Sequence, residues 1–189
     1  SRYSRNSILT RITGSGKLIT GTEVDMGAMN MYAIAPYVDD PVYGDKVKSL
    51  IQEGIESIAK AMNPDFTFTY SGFANSESTS QVICALCACG VDPYTDPRFG
   101  DGKTNIVTQW VDKFAWAGGF KHVVSETQPN SMATEQGCYA LEWYLGFLER
   151  GGAGKAYHMY YNRYNFAKTL SAEANILSFA IAVSYTHLR

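Results

Sequence analysis

The chain has 189 residues, of which 46% are hydrophobic and 18% are charged, so it holds enough apolar side chains for a packed core and is not a disordered protein. Its 16 basic and 18 acidic residues give a formal net charge of −2, which offers no electrostatic reason to expect nucleic acid as a partner. The apolar runs are shorter than the roughly 18 residues of a membrane helix, so membrane insertion is not expected.

Two kinds of predicted helix alternate along the chain. Residues 26–35 are apolar on nearly all sides, whereas residues 47–62 are apolar on one side only. Residues 82–89 are again apolar all round, residues 106–114 carry a single apolar stripe, and residues 132–148 are mostly apolar. A helix without a polar face must be covered on several sides. The pattern therefore predicts three buried inner helices that alternate with two amphipathic outer helices.

Turn and capping residues separate these helices. The breaks fall at Pro36, Asn63-Pro64, Gly90 and Gly118-Gly119. Asn75 and Asn130 stand where an N-cap oxygen is needed, and Ser78 with Gln81 has the spacing of a capping box. We therefore expect inner helices to begin just after the two asparagines.

Two segments of the chain repeat each other. When residues 75–86 are aligned with residues 130–141, six of the twelve positions are identical, and residues 28–34 form a weaker third copy. The pairs Gly72-Phe73 and Gly119-Phe120 precede two of the copies. Since one such unit cannot bury its own apolar face, neighbouring units are expected to stack.

These motifs resemble a known repeat. Gly-Phe, then Asn-Ser-x-[Ser/Ala]-Thr-x-Gln and an apolar helix, is similar to the α/α-toroid repeat of prenyltransferases, squalene and terpene cyclases and cobalamin carriers, and above all to bacterial cell-surface proteins with prenyltransferase/squalene-oxidase-type repeats. Further segments add to the resemblance, which covers about residues 14–150: residues 25–37, Val91-Asp92-Pro93, residues 118–122 and residues 132–136. It implies an all-α fold, an open arc of an α/α toroid.

The resemblance also implies a domain organisation. Residues 1–183 are expected to form a single partial toroid domain, with repeat copies near residues 25–62, 75–114 and 130–150. Residues after Gly151 would add another outer and inner helix, the inner one near residues 172–183. Residues 184–189 resemble translated adapter read-through and are expected to be a non-native tail.

Neither metal nor catalytic chemistry is predicted. Cys84, Cys87, Cys89 and Cys138 lack the partners of a zinc site or a disulfide framework and are expected to be small buried residues. Asp39-Asp40-Pro41 lacks the leading Asp of the acid cluster that the cyclases use, which favours a solvated turn. Zinc ligation by Cys138 and His158 does not have a recognisable spacing. No phosphate-binding loop or nucleophile elbow is present, and no cofactor is assigned.

Six polar or aromatic residues on the inner helices are candidate ligand contacts. They are Gln81 and Gln136 at matching repeat positions, Glu77 and Glu135 near helix N-termini, and Tyr32 and Tyr139. One interpretation is that they line the central cavity of the toroid and bind a ligand. The other is that the amides satisfy loop carbonyls or helix ends, the carboxylates favour helix N-termini, and the aromatic rings pack in the core.

The predicted function follows from the resemblance together with the missing catalytic motifs. We expect a non-catalytic module of a larger secreted or cell-surface bacterial protein that binds a small apolar or corrinoid-like ligand or another protein, alongside other domains of the parent chain. Alternatives are a fragment of a terpenoid cyclase or prenyltransferase whose catalytic residues lie outside this chain, and a cobalamin-binding module. The fold alone does not distinguish these functions.

Overall fold

The computed structural model describes residues 5–14, 16–149 and 151–152, and within them the chain is mainly α-helical. The elements in chain order are α1 (Arg5–Gly14), α2 (Asp25–Ile34) with a 3-10 turn (Ala35–Tyr37), α3 (Gly44–Ala61), β1 (Thr69–Tyr70), β2 (Phe73–Ala74), α4 (Ser76–Ala88), α5 (Ile106–Phe114), β3 (Ala115–Trp116), β4 (Gly119–Phe120) and α6 (Ser131–Glu149). A helix is present at each of the five places predicted before residue 150, whereas α1 was not predicted.

The amphipathic helices α3 and α5 bury one face each, as predicted. The buried residues of α3 are Val47, Leu50, Ile51, Gly54, Ile55, Ile58 and Ala61, together with Gly44 at its start. In α5 they are Ile106, Val107, Thr108, Trp110, Val111 and Phe114. Helix α3 packs on α2, and α5 packs on α4. Because the opposite faces carry charged and amide side chains, both helices lie at the surface of the fold.

Helices α2, α4 and α6 form a row in which α4 is the middle member. Asp25 at the start of α2 lies beside Ser78 near the start of α4. Cys87 near the end of α4 lies beside Tyr144 in the second half of α6. The three helices therefore run parallel, and every residue of α4 is buried.

The predicted burial is confirmed for the whole of α4 and for only part of α2 and α6. Met26 of α2 is exposed, and so are Met132 and Cys138 of α6. Cys84 and Cys87 are buried as predicted, whereas Cys89 is half-buried. For α6 the difference arises because no described helix lies on its far side, whereas α4 has a neighbouring helix on both sides.

Two short β-hairpins, which were not predicted, precede α4 and α6. In the first, Tyr70 pairs with Phe73, and in the second Trp116 pairs with Gly119. The turn glycines Gly72 and Gly118 have φ of 87° and 86°, a conformation that residues with a Cβ rarely adopt.

This register shows that the two Gly-Phe pairs are not equivalent. Gly72 corresponds to Gly118, so Phe73 takes the position of Gly119 and not of Phe120. Phe73 is 69% exposed, whereas Phe120 is 6% exposed and stacks on Trp110 with ring centroids 4.4 Å apart. The phenylalanine of the dipeptide therefore lies at the surface in the first hairpin and in the core in the second.

The predicted N-caps are confirmed, but the predicted capping box is wrong. The Asn75 side chain accepts a hydrogen bond from the Ser78 amide at 2.8 Å, and that of Asn130 accepts from Ala133 at 3.2 Å. The Ser78 hydroxyl is buried and makes no well-formed hydrogen bond with a described residue. A capping box is formed at α5 by Asn105 and Thr108.

A matched pair of Gly→Ala substitutions tests the packing between α6 and the second hairpin. An added Cβ at Gly137 would overlap the Phe120 ring, which cannot move freely because it stacks on Trp110. We expect Gly137→Ala to lower the free energy of unfolding by about 1–3 kcal/mol, as overpacked cores do. Urea unfolding followed by circular dichroism measures the change.

Gly14→Ala is the control, since an added Cβ there meets nothing within 4 Å. Alanine is the better helix former, so the free energy of unfolding should stay unchanged or rise by up to about 1 kcal/mol. Equal effects of the two substitutions would contradict the packing described for Phe120.

Candidate functional site

A chain of hydrogen bonds joins the three parallel helices. The Tyr32 hydroxyl of α2 donates to Gln81 Oε1 of α4 at 3.2 Å. Gln81 Nε2 then donates to Gln136 Oε1 of α6 at 2.7 Å. Gln81 is 5% exposed, while Tyr32 and Gln136 are half-buried. Three of the six predicted site residues therefore meet in one polar network.

Aromatic contact closes this network on one side. The centroids of the Tyr32 ring and the Trp143 ring of α6 lie 5.8 Å apart, so side chains of α2 and α6 meet directly across α4. Burial raises the pKa of Tyr32 to about 12, which keeps its hydroxyl protonated and able to donate. The two glutamines satisfy each other across the helices, a pairing that neither interpretation of the sequence included.

Glu77 is paired with a residue that the sequence analysis did not single out. Its carboxylate oxygens lie 2.8 and 2.9 Å from Nδ1 of His122, and its side chain is almost fully buried. The His122 carbonyl accepts a hydrogen bond from the Ser76 amide, and the His122 amide donates to Glu126. The loop after β4 is thus fastened to the first turn of α4. No local spacing in the sequence signals a pair whose members are so far apart along the chain.

Glu135 and Tyr139 are placed apart from this network. They bond each other one helical turn apart on α6, at 3.0 Å, and both are exposed. When Asn130 is aligned with Asn75, their counterparts on α4 are Ser80 and Cys84, both buried. The exposed face of α6 therefore corresponds to a face that is covered in the preceding repeat.

The first turn of α4 also holds unsatisfied polar atoms. Burial raises the pKa of the Asp25 carboxyl, with the adjacent Ser78 hydroxyl acting in the opposite direction. The two groups lie close together without a hydrogen bond of good geometry. Within the described residues, Asp25 Oδ1, Ser78 Oγ and Thr79 Oγ1 have no hydrogen-bond partner. Such atoms weaken the junction between α2 and α4.

The predicted acidic turn is confirmed as a turn. Asp40 Oδ1 accepts hydrogen bonds from the amides of Val42 and Tyr43, and Asp39 is exposed. A cavity of about 280 Å³ lies at this turn, between Val38 and Lys48. It is lined by different residues from those of the hydrogen-bonded network.

Metal ligation finds no support in the described part of the chain. Among those residues, no three His, Cys, Asp or Glu side chains are grouped to hold a metal ion. His158 and residues 172–189 lie outside the described residues, so the predictions made for them stay predictions.

Both hairpins present an aromatic side chain to solvent at the same position. Tyr70 and Trp116 each precede the turn and are 46% and 47% exposed. Phe73, the cross-strand partner of Tyr70, is more exposed still, and Val124 of the following loop is also exposed. Lys121 Nζ lies 5.1 Å from the centre of the Trp116 ring. We name Tyr70, Phe73, Trp116 and Val124 the hairpin surface.

The hairpin surface and the exposed face of α6 are exposed for different reasons. Each hairpin joins an outer helix to the segment leading into the next inner helix, so both are flanked by described elements. No described element covers these four side chains. Exposed aromatic side chains are enriched at the interaction sites of soluble proteins.

Comparison of the chain with protein-family models, with curated proteins and with solved structures found no match. The family resemblance of the repeats therefore stays a prediction. Within the described residues, none of the helices has the combined length and apolar character required to cross a bilayer.

Replacing Asp25 tests whether its carboxylate is buried without a hydrogen-bond partner. We expect Asp25→Asn to raise the free energy of unfolding at neutral pH by about 1 kcal/mol, because the amide removes a poorly satisfied carboxylate. In the wild type the folded pKa of Asp25 lies above the unfolded one, so the contribution of Asp25 to stability falls as pH rises above the ordinary pKa of Asp. Measured by urea unfolding between about pH 4 and about pH 7, the free energy of unfolding of the wild type should therefore fall relative to that of the variant.

Asp39→Asn, at an exposed carboxylate, is the matched control and should leave the pH profile within about 0.5 kcal/mol of the wild type. A wild-type stability that does not decrease across this range relative to Asp25→Asn would contradict the assignment.

The two glutamines of the network differ in burial, which gives a second matched pair. Gln81→Glu places a carboxylate at a nearly inaccessible position, and we expect a loss of about 2 kcal/mol at neutral pH that is recovered on acidification. Gln136→Glu keeps an oxygen that accepts the Gln81 N–H and is half-buried, so it should cost less than about 1 kcal/mol. Thermal unfolding at two pH values compares them. A larger loss for Gln136→Glu would refute the network.

Proposed function

We propose that the chain is an open arc of an α/α toroid and acts as a non-catalytic, protein-binding module of a larger secreted or cell-surface protein. The row of parallel helices α2, α4 and α6, with α3 packed on α2 and α5 on α4, supports the repeat arrangement. The location rests on the family resemblance alone.

The proposed binding function rests on one observation: both hairpins expose an aromatic side chain at the same position. Tyr70 and Trp116 are half-exposed at the same register position in two successive repeats. Large aromatic side chains on a surface contribute most when a partner covers them, and they are enriched at protein interfaces. We place the contact with the partner on the hairpin surface.

A small ligand at the inner polar network is less well supported. Gln81 already bonds Tyr32 and Gln136, and Tyr32 meets Trp143 across the middle helix. A ligand would have to break these contacts to reach Gln81. Both the corrinoid and the prenyl-substrate alternatives require an opening at this place, and they are tested together with the proposal.

The test uses peptides as probes because the natural partner is not identified. Phage-displayed peptides are selected on the full chain, and their affinities are measured for the wild type and for a Tyr70→Ser/Phe73→Ser/Trp116→Ser variant. We expect the variant to lose about 30-fold or more in affinity, equivalent to about 2 kcal/mol at an interface hot spot. Circular dichroism shows whether the variant keeps its fold.

Met26→Ser/Met132→Ser is the control, since it removes two exposed apolar side chains from α2 and α6 and should leave peptide affinity unchanged. Peptides that depend on the two methionines and not on the hairpins would contradict the proposed surface. A thermal shift with cyanocobalamin that survives in the hairpin variant would move the site to the inner helices, and turnover of farnesyl diphosphate would overturn the non-catalytic function.

A further inference from the structure

Trp116 of the hairpin surface lies against a buried cation. Lys121 Nζ is 5.1 Å from the centre of the Trp116 ring, within the range of a favourable cation–π contact. The same ammonium group donates a hydrogen bond to the Val124 carbonyl at 3.1 Å. Lys121 therefore contacts two of the four members of the hairpin surface, although it is itself only 8% exposed.

The backbone holds Lys121 in place for both contacts. The Lys121 amide donates to the Phe114 carbonyl at 2.8 Å, which continues the pairing of β3 with β4 by one position. The bond from Nζ to Val124 then closes a short turn directly after the hairpin. Because both ends of Lys121 are anchored, Trp116 and Val124 are ordered before a partner arrives, and binding costs less conformational entropy.

No carboxylate neutralises the charge of Lys121. Within the part of the chain that the structure describes, Nζ forms no ion pair. Glu126 of the same loop accepts a hydrogen bond from the His122 amide, and Glu77 of α4 pairs with the His122 ring. A buried charge is unfavourable unless an opposite charge compensates it, so an anion brought close to Lys121 would be stabilised.

A partner would experience this charge at Trp116. A group in contact with the exposed part of the Trp116 ring would lie within roughly 10 Å of Nζ, comparable to the Debye length in physiological salt. The net charge of −2 belongs to the whole chain, and its more distant members are screened. The local positive charge therefore favours an acidic group at this place and disfavours a basic one.

The first hairpin lacks this cation. When the two hairpins are aligned at Gly72 and Gly118, the position of Lys121 is taken by Asn75, a neutral residue that caps α4. The charge effect is therefore expected at Trp116 and not at Tyr70.

We propose that Lys121 is a positioning residue of the hairpin surface and makes it select an acidic partner segment, one with a carboxylate beside the side chain that covers Trp116. The inference rests on the proposed function. Its first test uses ionic quenchers and needs no protein partner, so its failure is distinguishable from failure of peptide binding.

Tryptophan fluorescence of the full chain provides the readout. Of the three tryptophans, Trp110 and Trp143 are 1% and 4% exposed, whereas Trp116 is 47% exposed. Quenching by iodide and by caesium ions at constant ionic strength therefore reports mainly on Trp116, and Trp116→Phe confirms the assignment. We expect the ratio of iodide to caesium quenching constants to be at least about twofold higher in the wild type than in Lys121→Met.

Two matched variants separate the role of Lys121 from a general loss of charge. Lys46→Met removes one positive charge from an exposed position of α3 and should keep the wild-type ratio. Lys121→Arg keeps a cation at the site and should retain most of it. The neutral quencher acrylamide should act more strongly on Lys121→Met than on the wild type, because the Trp116 ring has lost its anchor.

Circular dichroism verifies that the variants fold. Should Lys121→Met not fold, the wild-type ratio is compared with that of N-acetyltryptophanamide, a free tryptophan analogue without a neighbouring charge, and the wild-type ratio should again be higher.

The selected peptides test the nature of the partner. We expect peptides that lose affinity for Trp116→Ser to be richer in Asp and Glu than in Lys and Arg. Replacing the acidic residue of such a peptide by Lys should lower its affinity at least about threefold for the wild type and less for Lys121→Met.

Three results would overturn the proposal. The ratio of iodide to caesium quenching could be the same in the wild type and in Lys121→Met. Lys46→Met could lower the ratio as much as Lys121→Met does. The peptides that depend on Trp116 could be rich in Lys and Arg. Peptides that bind without the hairpin side chains would contradict the proposed function alone, since quenching still decides the role of Lys121.

Discussion

Complete burial of α4 is the constraint on which the rest of the structure depends. A helix with no face toward water needs neighbours on all sides, and here α2, α5 and α6 supply them. No single repeat can provide that cover, because an outer helix shields only one side. The stacking of α2 and α6 against α4 is therefore a requirement for burying α4 at all, and it couples the stability of adjacent repeats.

Polar side chains within the buried helix specify which neighbour lies where. Ser76 accepts from Trp110 of α5, Glu77 pairs with His122 of the loop after β4, and Gln81 joins Tyr32 to Gln136. Apolar contacts alone would tolerate small rotations of α4, whereas each of these bonds has a defined partner and direction. Four of the six candidate ligand contacts, Tyr32, Glu77, Gln81 and Gln136, thus join neighbouring elements of the fold.

The sequence predicted the helices well because periodicity and caps are local signals. The stripes of α3 and α5 and the asparagines before α4 and α6 all depend on residues within a few positions of one another. The Glu77–His122 pair and the glutamine bond depend on contacts between distant parts of the chain, which no spacing encodes. The exposure of Cys138 was missed for the same reason, since burial of a residue depends on which helix lies next to it. The toroid geometry stays a prediction.

The two repeats differ in length at one joint. In the first repeat Asn75 follows almost directly after the turn glycine Gly72, whereas in the second a longer loop separates Gly118 from Asn130. That loop includes His122, the partner of Glu77, and Val123, which bridges to Asn75. The longer loop of the second repeat therefore covers the start of α4. In repeat proteins the connecting loops can thus differ in length and contacts from one unit to the next, while the helices keep the same arrangement.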